Sequence, residues 1–149
     1  MTDPADIRAW QRIDASTTTS GRLLAADIDR LAGIGVRHVV NLAMPDHPDA
    51  LADEDALCAA HGIAYTAIPI PFDAPVEAHY QIFRAAISNA AGPVHVHCIL
   101  NWRVSAFFYR WNRENGMAES GARGLMAQHW DPDENDHPAA AIWAALIGR

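Results

Sequence analysis

Residues 94–105, Val-His-Val-His-Cys-Ile-Leu-Asn-Trp-Arg-Val-Ser, constrain this chain more than any other segment. Valines and histidines alternate up to Cys98, a pattern that reads as a buried strand. Val104, Phe107, Phe108 and Trp111 then recur at helical spacing. A strand that ends on a cysteine and turns into a helix within a few residues sets the thiol beside unsatisfied backbone N–H groups and the positive end of a helix dipole. Such a corner favours a thiolate, and it equally favours a bound phosphate.

Elsewhere the periodicity predicts alternating strands and helices. A helix is expected over 25–32, with Ile28 and Leu31 inward and Gly33 and Gly35 ending it. Strands are expected over 36–42 and 64–70, Pro69 marking the second as a strand end or an edge. Further helices are expected over 51–61, stopped by Gly62, and over 76–91, where Ile82, Phe83, Ala86 and Ile87 form the core face. The helix after Cys98 is expected over 103–115, with two more over 119–129 and 138–147, Pro138 suiting a first helical position. The opening 7–21 ends in the Thr/Ser run 16–20 and reads as loop; 44–48 reads as a proline-rich turn. Together these predict an α/β fold: a three-layer sandwich with a central, mostly parallel sheet flanked by helices on both faces. A single domain over 1–149 is expected. Ligands of such sheets sit at the carboxyl ends of strands, where Cys98 falls.

Composition narrows the function classes. A formal charge of −7 argues against a nucleic-acid or anionic-membrane binder. No apolar run approaches the roughly 20 residues of a membrane helix, and residues 1–11 lack the basic stretch that opens a signal peptide. Two cysteines, Cys58 and Cys98, are too few for a disulfide scaffold and suit a reducing cytoplasm, the expected location. Nothing in the chain specifies an oligomeric state.

The cysteine corner also carries a resemblance. His97 and Cys98, with Ser105 downstream, resemble the active-site loop of the protein tyrosine and dual-specificity phosphatase superfamily, where His-Cys is followed by five residues, then Arg, then Ser or Thr. The arginine position falls on Val104; the arginine present, Arg103, lies one place early, and Asn101 stands where many members have glycine. A bacterial branch of phosphatase-like proteins matches better. Its local phrase H-C-x-x-N-x-R-(A/V)-S-A-F is reproduced by His97, Cys98, Asn101, Arg103, Val104, Ser105, Ala106 and Phe107. Thr19-Ser20-Gly21, Val39-Val40-Asn41-Leu42, Ile68-Pro69-Ile70, and His129-Trp130 followed by Pro132 and Trp143 agree with that branch too, so the likeness spans nearly the whole chain.

The resemblance implies a phosphatase-like fold and phosphomonoester hydrolysis through a Cys98 phosphocysteine, acting on a phosphorylated small molecule or protein and using no cofactor. Ile99, Leu100, Asn101, Trp102, Arg103 and Val104 would form the phosphate-binding loop, Ser105 would stabilise the departing thiolate, and His97 would stiffen the loop. The general acid would be an aspartate after the preceding strand. Asp73 lies there, between Pro71 and Pro75, and is equally an ordinary turn residue. An arginine on phosphoryl oxygens is worth roughly 10³–10⁵ in rate, so valine at 104 predicts weak activity. Neighbouring helical residues point about 100° apart, so Arg103 is expected to turn away from the phosphate nest and pair with a carboxylate. On that alignment Val104→Arg should raise activity.

Other readings stand beside these. Cys98 alone is most simply a small buried hydrophobe. His95 and His97 share a strand face, and such a pair suits zinc, but without a third ligand nearby a hydrogen-bonded core is preferred and no metal is assigned. Asn101 either donates to an anion or takes the left-handed conformation that glycine would supply. Trp102 is a pocket wall or core, Cys58 is expected to be buried, and Trp130 and Trp143 are expected to anchor the last two helices. Two further functions remain open: a pseudophosphatase that binds a phosphorylated or anionic partner without turnover, and a thiol or sulfur-transfer protein that uses Cys98 as a carrier.

Overall fold

The structure, a computed structural model, describes residues 2–148. Five strands form one sheet: β1 (Gln11–Asp14), β2 (Thr17–Ser20), β3 (His38–Asn41), β4 (Ala64–Ala67) and β5 (Val94–His97). Their order is β1-β2-β5-β3-β4; the β1–β2 pair is antiparallel and every other pair is parallel. Six α-helices accompany it: α1 (Ala25–Gly33), α2 (Glu54–Ala60), α3 (Glu77–Ser88), α4 (Trp102–Glu114), α5 (Glu119–Ala127) and α6 (Ala140–Leu146).

Adjacent residues of β3 show why the molecule has three layers. Val39 packs into a cluster with Ile28 and Leu31 of α1, Cys58 of α2 and Ile63. Val40, on the opposite face, joins Val96, Phe83 of α3, Phe107 of α4, Met126 of α5 and Trp143 of α6. Side chains alternate across a strand, so the sheet divides a small core under α1 and α2 from a larger aromatic one under the other four helices. The expected three-layer architecture is what forms.

Element boundaries contract by a few residues at most ends, as fraying and capping dictate. β4 is an edge strand, as Pro69 suggested, and α6 begins two residues after Pro138. The larger correction concerns the opening. Residues 16–20 are not loop: Thr17–Ser20 is a buried strand in parallel register with β5, and Gln11–Asp14 pairs with it. The strand escapes hydrophobic pattern-reading because its hydroxyls face polar partners. Thr18 Oγ1 and Ser20 Oγ each lie 2.8 Å from a ring nitrogen of His95 on β5.

Register then fixes where the cysteine corner sits. Ser20, His97 and Asn41 align across β2, β5 and β3. Cys98, one residue beyond, leaves the carboxyl end of the central strand.

Candidate active site around Cys98

The chain turns directly from β5 into α4 through Cys98, Ile99, Leu100 and Asn101. Asn101 makes the turn possible: it is the residue before the helix and adopts the left-handed conformation, φ 68°. Asparagine tolerates that region better than most L-residues, and here its amide is also fully engaged. Nδ2 donates to Ala9 O at 2.9 Å and to Thr19 Oγ1 at 3.0 Å, while Oδ1 accepts from Ser105 Oγ at 3.0 Å. The Asn101 side chain is thus a tether for the loop, and its amide is not free to bind an anion. Ser105 serves the same tether, and its hydroxyl is directed to Asn101 instead of to Cys98. Gly21 closes the other side: a Cβ there would lie 2.4 Å from Ile99 O, and Arg22 N–H donates to the same carbonyl at 2.9 Å.

This path leaves the backbone donors open. Among the described residues, the N–H groups of Ile99, Leu100, Asn101, Trp102, Arg103 and Val104 have no protein acceptor; the first helical bond runs from Ser105 N–H to Asn101 O at 2.9 Å. Consecutive unpaired N–H groups at the start of a thirteen-residue helix make an anion-binding nest.

Cys98 lines a cavity of about 150 Å³ together with Ile99, Leu100, Trp102, Arg103, Phe72, His47 and His137. Arg103 departs from expectation. It does not pair with a carboxylate: Nη1 donates to Ile70 O at 2.8 Å, and its guanidinium carbon stands 6.0 Å from the Phe72 ring centroid. The reason is the helix's setting. Val104 is wholly buried in the larger core, which directs the preceding residue toward the loop after β4 and hence into the Cys98 cavity. That loop is pinned, because Trp143 Nε1 also donates to Phe72 O at 2.7 Å. Trp102, the expected pocket wall or core residue, is both, since it stacks in parallel on Trp130 at 5.3 Å. Asp73 follows Phe72 but is exposed and does not line the cavity.

His47 and His137 were not legible as site residues. They lie in the turn after β3 and in the segment before α6, far from Cys98 in sequence and without a motif. Each ring is held alike: Nδ1 accepts a backbone N–H two residues on, from Asp49 at 2.9 Å and from Ala139 at 3.0 Å. A neutral imidazole whose Nδ1 accepts carries its proton on Nε2, so each ring has a free N–H donor.

Behind the loop lies a buried polar stack. His97 Nε2 meets Glu54 Oε2 at 2.6 Å, and Nδ1 lies 3.1 Å from Cys98 O. His97 thus bridges the Glu54 carboxyl group and the Cys98 carbonyl. Each member is only 3% exposed, and leaving a buried polar group of this kind unpaired costs roughly 1–3 kcal/mol. His97 is thereby locked under the Cys98 loop. His95, parallel to it at 6.3 Å and stacked on Trp10 at 5.4 Å, has both nitrogens taken by hydroxyls. Burial holds its pKa well below the ordinary value, with His97 adding to the shift. Among the described residues no three His, Cys, Asp or Glu side chains converge as metal ligands would. Cys58 is buried in the smaller core, its thiol pushed up to about 12 by burial and by Glu54 and Asp55.

No protein-family model matches the chain, and no curated protein matches it. Solved structures do. A DUF442 protein of Shewanella putrefaciens CN-32 with a provisional phosphatase designation aligns over 98% of this chain and 93% of its own, with TM-score 0.82 and 27% identity. Two others share the fold: a Neisseria meningitidis Z2491 protein with a similar designation (TM-score 0.70, 18% identity, 91% of this chain and 94% of its own), and P. aeruginosa TpbA, solved in complex with pTyr (TM-score 0.67, 20% identity, 99% of this chain and 91% of its own). These similarities support a fold of the protein tyrosine/dual-specificity phosphatase-like kind. Within it, the chain is similar to the Shewanella DUF442 protein along nearly its full length.

Proposed function

We propose that the protein is a phosphoric monoester hydrolase that transfers the phosphoryl group through Cys98. The observation that carries this reading is the run of unpaired backbone donors from Ile99 to Val104 beside a cysteine at the end of the central strand. In the proposed reaction the Cys98 thiolate attacks phosphorus, an S–P bond forms and the P–O bond to the leaving group breaks. The leaving oxygen takes a proton. Water then cleaves the S–P bond, releasing phosphate and restoring the cysteine. The nest holds the equatorial oxygens, and Arg103 supplies the cation that Val104 cannot. Asp73 is the proposed proton donor; because it lies outside the cavity while Phe72 beside it is held by Trp143, that role requires the Asp73 side chain to turn in toward the ligand.

Rates for a small aryl phosphate test this. Cys98→Ser should abolish turnover, and Arg103→Ala should lower kcat/KM by roughly 10²–10³, the usual cost of losing one preorganised electrostatic donor. Equal rates for folded wild type and Cys98→Ser would end the hydrolase reading for this substrate class. A second reading, phosphate binding without turnover, draws support from the exposed position of Asp73 and from Arg103 being tied to Ile70 O. Vanadate binding with no hydrolysis would favour it.

A further inference from the structure

The cavity at Cys98 is one-sided in its hydrogen bonding. Among the described residues, none of the chain's 18 Asp and Glu side chains lines it. Asp46, Asp73 and Asp136 neighbour lining residues in sequence, but all three are exposed and stay outside. Backbone acceptors around it are already taken. Ile70 O accepts from Arg103 at 2.8 Å, Phe72 O from Trp143 at 2.7 Å, and Ile99 O from Arg22 N–H at 2.9 Å.

The donors, by contrast, are open. Beside the N–H run from Ile99 to Val104, His47 and His137 each present an Nε2–H with no acceptor among the described residues. Neither ring is loose, since Nδ1 of each accepts the N–H two residues on. His137 also stands edge-on to Phe72, with ring centroids 5.0 Å apart at 84°. A nest of backbone N–H groups with one guanidinium suffices for a phosphoryl group. Two further donors in the same cavity are therefore placed for whatever is attached to it. A cavity free of carboxylates also lets a second anionic group in without repulsion, in a chain whose net charge is −7. The space is small: about 150 Å³, against roughly 300–1,000 Å³ for pockets that enclose drug-sized ligands. The second group must then be compact and lie within a few bonds of the phosphoryl oxygen, which favours a carboxylate.

We propose that His47 and His137 are specificity-determining residues that hold a carboxylate on the leaving group, so that the ligand class is the phosphate ester of a short hydroxy acid. This rests on the phosphate-binding reading of the Cys98 loop. The phosphoryl group occupies the nest and the carboxylate accepts from the two Nε2–H groups. An ammonium group in the same place would meet donors only.

Calorimetry on Cys98→Ser tests this with three esters of one size: ethyl phosphate, carboxymethyl phosphate and 2-aminoethyl phosphate. Hydrogen bonds to a charged group are worth roughly tenfold or more in affinity. Carboxymethyl phosphate should therefore bind at least about tenfold tighter than ethyl phosphate, and 2-aminoethyl phosphate no tighter than ethyl phosphate. Adding His47→Asn and His137→Asn should bring the carboxymethyl-to-ethyl ratio close to one. Asparagine can still accept the N–H two residues on while lacking Nε2–H, so this variant should fold. If ethyl phosphate binds and carboxymethyl phosphate binds no tighter, the proposal is overturned and the phosphate reading stands. A preference that survives both substitutions overturns it too. Failure of ethyl phosphate to bind would count against the phosphate reading. In that event histidine-dependent binding of carboxymethyl phosphate still supports the specificity role, and its absence overturns it.

Discussion

At the scale of single residues, the cavity is decided by which of two neighbours faces it. Sequence alignment assigns the cation position to Val104, yet Val104 is fully buried in the aromatic core and Arg103 lines the Cys98 cavity. The prediction drawn from the alignment therefore reverses. Val104→Arg would set a guanidinium among Val96, Phe107 and Phe108, an uncompensated buried charge worth roughly 3 kcal/mol or more. The variant should lose stability and gain no activity, which urea unfolding and aryl phosphate assays would read. A stable variant with raised turnover would show that position 104 reaches the ligand after all. The residues His97, Cys98 and Ser105 were legible because they form a local phrase. His47 and His137 were not, because only tertiary packing brings them to the cavity, and Ser105 was legible in place but not in partner.

At the scale of elements, the strand-to-helix turn depends on a left-handed residue with a full set of hydrogen bonds. Asn101→Gly keeps the conformation and loses the tethers; Asn101→Ala loses both, with a further cost of about 1 kcal/mol for a Cβ at φ 68°. Urea melts should rank wild type above Gly and Gly above Ala, with phosphate affinity following the same order. Identical Gly and Ala variants would remove backbone strain from the account. The hydrophobic strands β3 and β5 were readable from their alternation, and the helices from their period. The polar strand β2 was not, because its inward face carries Thr18 and Ser20 and its complement is a histidine, not an aliphatic side chain. Here the polar groups are buried as hydrogen-bonded pairs, a pattern that local hydropathy does not register.

At the scale of the whole molecule, buried histidines couple stability to pH. Burial lowers the pKa of His38, His129 and, most strongly, His95. A folded value below the unfolded one means that the unfolded chain takes up protons first. Stability is therefore complete above the ordinary histidine value of 6.5 and is lost as pH falls below it. While only the unfolded state is protonated at His95, the slope should be about 1.4 kcal/mol per pH unit. Urea unfolding between pH 7.5 and 5 would test this, and a flat profile would contradict it. The fold class was legible at this scale because alternating strands and helices admit few architectures. The exact sheet edge was not, since β1 and β2 are short and polar.

The proposed reaction turns on a phosphoryl group carried by Cys98. The most direct measurement is mass spectrometry of the protein acid-quenched within milliseconds of mixing with excess aryl phosphate. A phosphate adduct is expected on the Cys98 peptide of the wild type and none in Cys98→Ser. Turnover without an adduct, at a rate that Cys98→Ser retains, would contradict it.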